Sequence, residues 1–212
     1  MRVGILGSGD VGKALAAGFS SYGHDVTMGT RDPAKLGAFA SQHKNIKVGS
    51  FGDAAKFGEI IVLAVKGVAA ADVLRDADED QIEGKVIVDT TNPIADAPPK
   101  NGVLDYFTDD DESLMERLQR EFSGARFVKA FSCVGSALMV NPKLRGGPPT
   151  MFICGDDADA KALVSKILAE FGWEVEDMGS VTSARAIEPL AILWCIPGFL
   201  RNDWSHAFKL LR

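Results

Sequence analysis

Short runs of aliphatic residues recur along the chain, and most are followed by a stretch whose apolar positions fall at helical spacing. The first run, Arg2-Val3-Gly4-Ile5-Leu6, shows no polar alternation, which is the pattern of a parallel strand covered on both faces. Behind it, Val11, Leu15 and Phe19 recur every four residues and so share one face of a helix. Further strands are expected over 25–29, 46–48, 60–65, 86–89 and 126–130, with helices around 53–57, 69–74 and 113–122. The acidic stretch 76–80 reads as a solvated face, and 95–112, rich in Pro, Asn and Asp, as a polar loop.

Strands alternating with helices in this way predict an α/β fold: a Rossmann-type, doubly wound, mostly parallel sheet of six strands. Past Pro148-Pro149 a further strand–helix–strand follows over 151–154, 158–171 and 173–177, the helix opened by Asp156-Asp157. Residues 184–212 read as helical with a break at Pro197-Gly198. The expected organisation is a sheet unit, 1–147, and a small C-terminal α/β extension, 148–212.

Composition narrows the function classes. The chain has 212 residues, 46% hydrophobic and 25% charged, enough to bury a core as a soluble globular protein. Its net charge of -6, with no cluster of Lys and Arg, sets aside nucleic acid as a partner. The apolar stretch 189–200 is too short to span a bilayer and is interrupted by Pro197, so it reads as a core or oligomer-contact helix, offering a homodimer contact. No signal-peptide core opens the chain, and a cytoplasmic location is expected. Cys133, Cys154 and Cys195 are widely spaced without a CxxC pair, which predicts free thiols and no metal site.

The chemistry centres on Gly7-Ser8-Gly9-Asp10-Val11-Gly12, which joins the first strand to the first helix. A glycine at each of these positions has a separate use. Gly7 permits the tight turn, Gly9 leaves the backbone open to a pyrophosphate, and Gly12 lets the helix pack closely on the strand. The phosphates then meet free N–H groups at a helix N-terminus. NAD-binding chains place Asp or Glu near the end of the second strand, against the ribose 2′-hydroxyl. Here the strand ends in Thr30-Arg31, with Lys35 one turn on, groups suited to a 2′-phosphate and therefore to NADP(H). Asp32-Pro33 has its own explanation as a helix cap followed by a first-turn proline.

Taken with Gly29-Thr30-Arg31-Asp32-Pro33, Asp89-Thr90-Thr91-Asn92-Pro93, Val128-Lys129-Ala130-Phe131, Cys154-Gly155-Asp156-Asp157-Ala158 and Asp177-Met178-Gly179-Ser180, the turn resembles the NADP oxidoreductases dependent on the deazaflavin coenzyme F420. The same motifs are similar to the cytosolic reductase domains of the six-transmembrane metalloreductases. The resemblance implies NADP(H) as cofactor, with Gly7 to Gly12 at the phosphates and Thr30, Arg31 and Lys35 at the 2′-phosphate. It implies that Val65 and Lys66 border the adenine-side ribose and that Asn92 and Pro93 border the nicotinamide. It also implies that the C-terminal unit covers the acceptor. In one respect the chain departs from the pattern: Ser132 stands where the deazaflavin reductases carry His and the metalloreductase domains Asn.

Hydride transfer between nicotinamide and a flavin-like ring needs two rings held at reacting distance rather than a catalytic triad. His24, His43 and His206 read as solvated or capping residues. The acceptor side is expected beside Asn92, Ser132, Cys133 and Val134, under the stretch containing Leu193 and Trp194. The sequence therefore reads as an NADP(H)-dependent oxidoreductase whose small-molecule acceptor and co-substrate is coenzyme F420 or a flavin. An NADPH-dependent flavin or ferric reductase is the alternative, and a non-catalytic NADP(H)-sensing module is an alternative of another class.

Overall fold

The six expected strands form one parallel sheet in a computed structural model that describes residues 1–43 and 45–212. Strand β1 (Arg2–Leu6) pairs with β2 (Asp25–Gly29) on one side and β4 (Ile60–Leu63) on the other. Beyond these lie β3 (Ile46–Gly49) next to β2, then β5 (Val86–Asp89) and β6 (Arg126–Lys129) next to β4, giving the order 3-2-1-4-5-6. The direction of winding reverses at β1. The carboxyl ends of β1 and β4 therefore splay their following turns apart, which is where an open α/β sheet forms its crevice.

The lack of polar alternation in the strands has its cause in the layers on both faces. Val3, Ile5, Ile60, Val62, Val86, Val88 and Val128 pack on the side of Leu15 and Phe19 from α1 (Asp10–Ser21). Their neighbours Ile61, Leu63, Ile87 and Phe127 face the opposite way, toward α3 (Phe51–Phe57), α4 (Ala70–Asp76) and α6 (Leu114–Glu121). Between β2 and β3 a 3-10 turn, Pro33–Leu36, leads into α2 (Gly37–Ser41). Ser50 and Ser113 close capping boxes with Asp53 and Glu116 and so set where α3 and α6 start. The acidic stretch contains one more turn than expected, α5 (Glu79–Ile82), because Ile82 is buried while Asp78, Glu79 and Asp80 stay exposed.

In the C-terminal extension, β7 (Thr150–Ile153) and β8 (Glu174–Asp177) form a separate two-stranded parallel sheet. The helix between them, α7 (Ala158–Glu170), contributes Val164, Ile167 and Leu168 to the core on the α1 face. Helices α8 (Ala184–Ile187) and α9 (Leu190–Arg201) follow. Contrary to the expected break, α9 runs straight through Pro197 and stops at Asn202, which is left-handed at φ 55°. Tertiary packing overrides the proline. Trp204 folds back against Gly198, where a Cβ would overlap its ring, and Trp194 is buried beside it. Nor are residues 203–212 helical. They return to the start of β7, with Thr150 N donating to Phe208 O at 2.9 Å and Leu210 N to Thr150 Oγ1 at 3.0 Å.

By length and composition alone, the helical run Val181–Arg201 is apolar enough to cross a membrane, with a mean hydropathy of 1.2. It is tied to the body of the protein by Ala184, Ile187, Glu188, Ala191 and Trp194, all buried. Its free side carries exposed Leu193, Phe199 and Leu200.

Candidate functional site

A cleft of about 850 Å³ opens above the carboxyl ends of β1, β2, β4 and β5. Its floor is the glycine turn. Gly7 is held at φ 137° with its N–H donating to Gly29 O, and a Cβ there would overlap Ala64 O. Gly12 lies outside the cleft: a Cβ would come within 2.6 Å of Gly7 O, so this glycine serves the close fit of α1 on the turn. Gly9 differs from both, because nothing beyond its own chain neighbours lies within 4 Å of where its Cβ would be. The backbone there is open toward the cleft. Gly9 is also the N-cap of α1 and supplies no side-chain acceptor, so first-turn N–H groups remain available to an anion.

Thr30, Arg31, Asp32 and Lys35 line the far end of the cleft. The Thr30 hydroxyl is buried, donates to Ser8 Oγ at 3.2 Å and accepts from Asp32 N, so it stitches the two turns together. Asp32 is occupied as a cap, accepting from Ala34 N at 3.2 Å, with Lys35 Nζ 3.7 Å from its other oxygen. Arg31 is exposed and, among the described residues, has no ion-pair partner. The cap and the cation cluster coexist: one explains Asp32 and Pro33, the other leaves Arg31 free for an anion.

On the other side, Val65 and Lys66 line the cleft after β4, and Thr90, Thr91 and Asn92 line it after β5. Pro93, expected beside them, is buried and turned away, its carbonyl accepting from Phe107 N at 2.8 Å. Ser132, Cys133 and Val134 also stand apart from the open cleft and are buried. Two features close that corner. Phe131 adopts φ 60°, a costly conformation for an aromatic residue, while its ring sits in the core near Phe171. Trp194 lies against Gly135, where a Cβ would meet its ring at 2.6 Å. Asn92 bridges the two regions by donating from Nδ2 to Ser132 O at 2.7 Å. Asn92 Oδ1 and Ser132 Oγ are buried without a partner among the described residues.

Burial raises the Cys133 and Cys154 thiols to about 12, which makes both inert rather than nucleophilic. His206 stacks on Trp194 and exchanges hydrogen bonds with it: Trp194 Nε1 donates to His206 O and His206 Nε2 to Trp194 O. Residues that sequence reasoning missed also line the cleft, among them Phe51, Val68, Val73, Ile94, Ala95 and Asp96. Val68 and Ile94 follow the ends of β4 and β5, so the rule that ligands sit beyond strand carboxyl ends was the signal available. A fully buried ion cluster lies beneath Thr91. Lys129 Nζ is 2.6 Å from Asp89 Oδ2 and 2.8 Å from Glu188 Oε1, and donates to Thr91 O at 2.9 Å.

Residues 2–93 match the family described as NADP oxidoreductase, coenzyme F420-dependent. Over 219 residues the chain is 30% identical to the F420-dependent NADP reductase of Methanothermobacter marburgensis, with 95% of this chain and 96% of that protein covered. It is 34% identical over 205 residues, 94% of its length, to the metalloreductase STEAP3 of Rattus norvegicus, of which it spans 39%. The solved structure of a candidate F420-dependent NADP reductase from Arthrobacter sp. FB24 aligns with a TM-score of 0.93 and 32% identity over the whole of both chains. A glycine turn at the switch point and similarity along nearly the full length agree: the chain belongs to the family of F420-dependent NADP reductases, a family of NADP-dependent oxidoreductases.

Proposed function

We propose that the chain binds NADP(H) in the cleft and transfers a hydride between its nicotinamide and a deazaflavin of the F420 class. The observation that carries the reading is the cleft itself. It is open at Gly9, lined by first-turn N–H groups and Arg31 at one end, and bounded by the orphaned Asn92 amide oxygen at the other. The dinucleotide supplies the redox chemistry when bound. The chain binds and orients. First-turn N–H groups of α1 hold the pyrophosphate, Arg31 and Lys35 take the 2′-phosphate, and Val65 and Lys66 flank the adenine-side ribose. Asn92, which lines the cleft and is held from behind by Ser132, would orient the carboxamide, and Ile94, Ala95 and Asp96 line the wall left to the acceptor. Unit 1–147 is the cofactor-binding part in this reading, and 148–212 is the cover.

The exposed apolar side of α9 fits a homodimer contact, and a cytoplasmic location fits the soluble hydride acceptors considered. A second reading, reduction of flavin or ferric ion, is favoured by the identity to the rat metalloreductase. Single-turnover oxidation of bound NADPH by F420, by FMN and by ferric citrate separates the two. Faster reaction with F420 supports the deazaflavin reading, and FMN or iron alone supports the second. Tight NADPH binding without turnover on any acceptor points to a sensing module.

A further inference from the structure

The ion cluster of Lys129, Asp89 and Glu188 is sealed from solvent, with side-chain exposures of 0%, 0% and 2%, yet it is built from three separate parts of the chain. Lys129 ends β6, Asp89 ends β5, and Glu188 stands between α8 and α9. Three oxygens surround the ammonium, the number its hydrogens can serve. The contact with Asp89 Oδ2 is an ion pair rather than a well-angled hydrogen bond. The other Asp89 oxygen accepts from Thr91 N at 2.9 Å and Thr91 Oγ1 at 2.7 Å. All the polar groups of Thr91 are therefore held by Lys129 and Asp89, one residue before Asn92.

Glu188 reaches in a different direction. Its two oxygens accept from Leu114 N and Met115 N at 3.0 Å each, where the N-terminus of α6 favours a negative charge. Its carbonyl accepts from Tyr106 Oη at 2.7 Å. A turn and a half later along the same helical run, Trp194 covers Gly135 next to the Ser132 corner. One ammonium thus links the cleft-lining end of β5, the end of β6 and the C-terminal cover.

Replacing a buried ion cluster by apolar side chains is often neutral or stabilising, so stability alone does not account for the ionic choice. We infer that Lys129, Asp89 and Glu188 form a positioning triad for hydride transfer, holding Thr91–Asn92 and the C-terminal cover in register at the nicotinamide end of the cleft. This rests on the NADP(H) reductase reading above. The triad makes no contact with Gly7 to Gly12, Arg31 or Lys35. Most of the proposed cofactor contacts are therefore independent of the triad, and transfer rate should respond more than affinity.

The test uses Lys129→Met and Glu188→Gln in the full chain; the second is isosteric and keeps an acceptor oxygen for Lys129. NADPH affinity is read from nicotinamide fluorescence, and hydride transfer from single turnovers with F420 and with FMN. Affinity is expected to stay within about threefold of the parent while the transfer rate falls about tenfold or more, since small misplacements of reacting groups cost that much. A folded Glu188→Gln with an unchanged rate, or with affinity lost in step with rate, overturns the assignment. So does failure of both variants to fold, which makes the cluster a stability element only. If the parent binds NADPH but reduces neither acceptor, the reductase reading is what fails. Amide exchange at Thr91 and Asn92 in the NADPH complex then decides the positioning role, with an increase of about tenfold in Glu188→Gln expected and no change refuting it.

Discussion

Replacing Lys129 by Met leaves Asp89 and Glu188 facing each other in a site that water does not reach. Removing one partner of a buried ion pair costs about 3–5 kcal/mol, because the remaining charge has neither solvent nor counter-charge. Asp89 keeps its bonds from Thr91, and Glu188 keeps those from Leu114 and Met115, which places the cost at the lower end. At about 2–4 °C per kcal/mol for a chain of this size, the melting temperature should fall by about 6–12 °C at pH 7.

The pH dependence supplies a sharper signature. Burial alone would lower the Lys129 ammonium, but Asp89 and Glu188 outweigh it and raise it from 10.5 to about 12. A folded-state value above the unfolded one means that the stabilisation is complete below about 10.5 and is lost as pH rises through about 12. The amount is about 2 kcal/mol. Urea denaturation followed by tryptophan fluorescence, run on parent and variant at pH 7, 9 and above 11, should show the gap between them narrowing only in the alkaline range. A variant that melts with the parent at pH 7, or a gap constant with pH, would refute the electrostatic account of this cluster.

Arg31→Ala should weaken NADPH about tenfold and leave NADH unchanged, since an exposed charge-assisted bond to the 2′-phosphate contributes about 1.5 kcal/mol; calorimetric titration with both cofactors checks it, and equal losses tell against the assignment. Gly9→Ala should fold as the parent does yet weaken both cofactors alike, because its Cβ meets nothing beyond its chain neighbours but would enter the proposed phosphate path. Gly12→Ala should lower the melting temperature even without ligand, because its Cβ would press on Gly7 O at 2.6 Å, and parent-like melting would contradict that packing. Cys133 and Cys154, held near 12 by burial, should resist iodoacetamide at pH 8 in the native chain and react on unfolding; mass spectrometry showing rapid native labelling of Cys133 would count against its burial.

The six parallel strands and the glycine turn were both legible in advance, and for the same reason. A strand buried on both faces must be apolar throughout, and a turn that brings backbone to backbone must lack side chains, so each requirement is written locally at Val3 to Gly12. Asp32-Pro33 was equally readable as a cap, since capping is decided within a few residues. The end of α9 was not, because a proline's cost in a helix competes with packing by Trp204, whose position depends on the turn at Asn202.

The acceptor corner shows why proximity to a strand end is a weaker guide than it looks. Ser132, Cys133 and Val134 follow β6 as Thr90 to Asn92 follow β5, and the topological rule treats the two turns alike. What separates them is a left-handed Phe131 and a tryptophan from the C-terminal run, one a backbone state and the other a contact made across the fold. Neither leaves a trace at the neighbouring residues. The same holds for Lys129, whose lysine, aspartate and glutamate read singly as strand-end or surface charges and acquire meaning only when β5, β6 and the α8–α9 junction meet. Asn92 Nδ2, donating to Ser132 O, then connects the two turns, each of which carries an unpaired buried oxygen. In the proposed reading the buried serine serves the nicotinamide through Asn92 rather than the acceptor. Ser132→Ala should accordingly weaken NADPH and leave the ratio of F420 to FMN turnover unchanged, and a changed ratio at constant affinity would return Ser132 to the acceptor side.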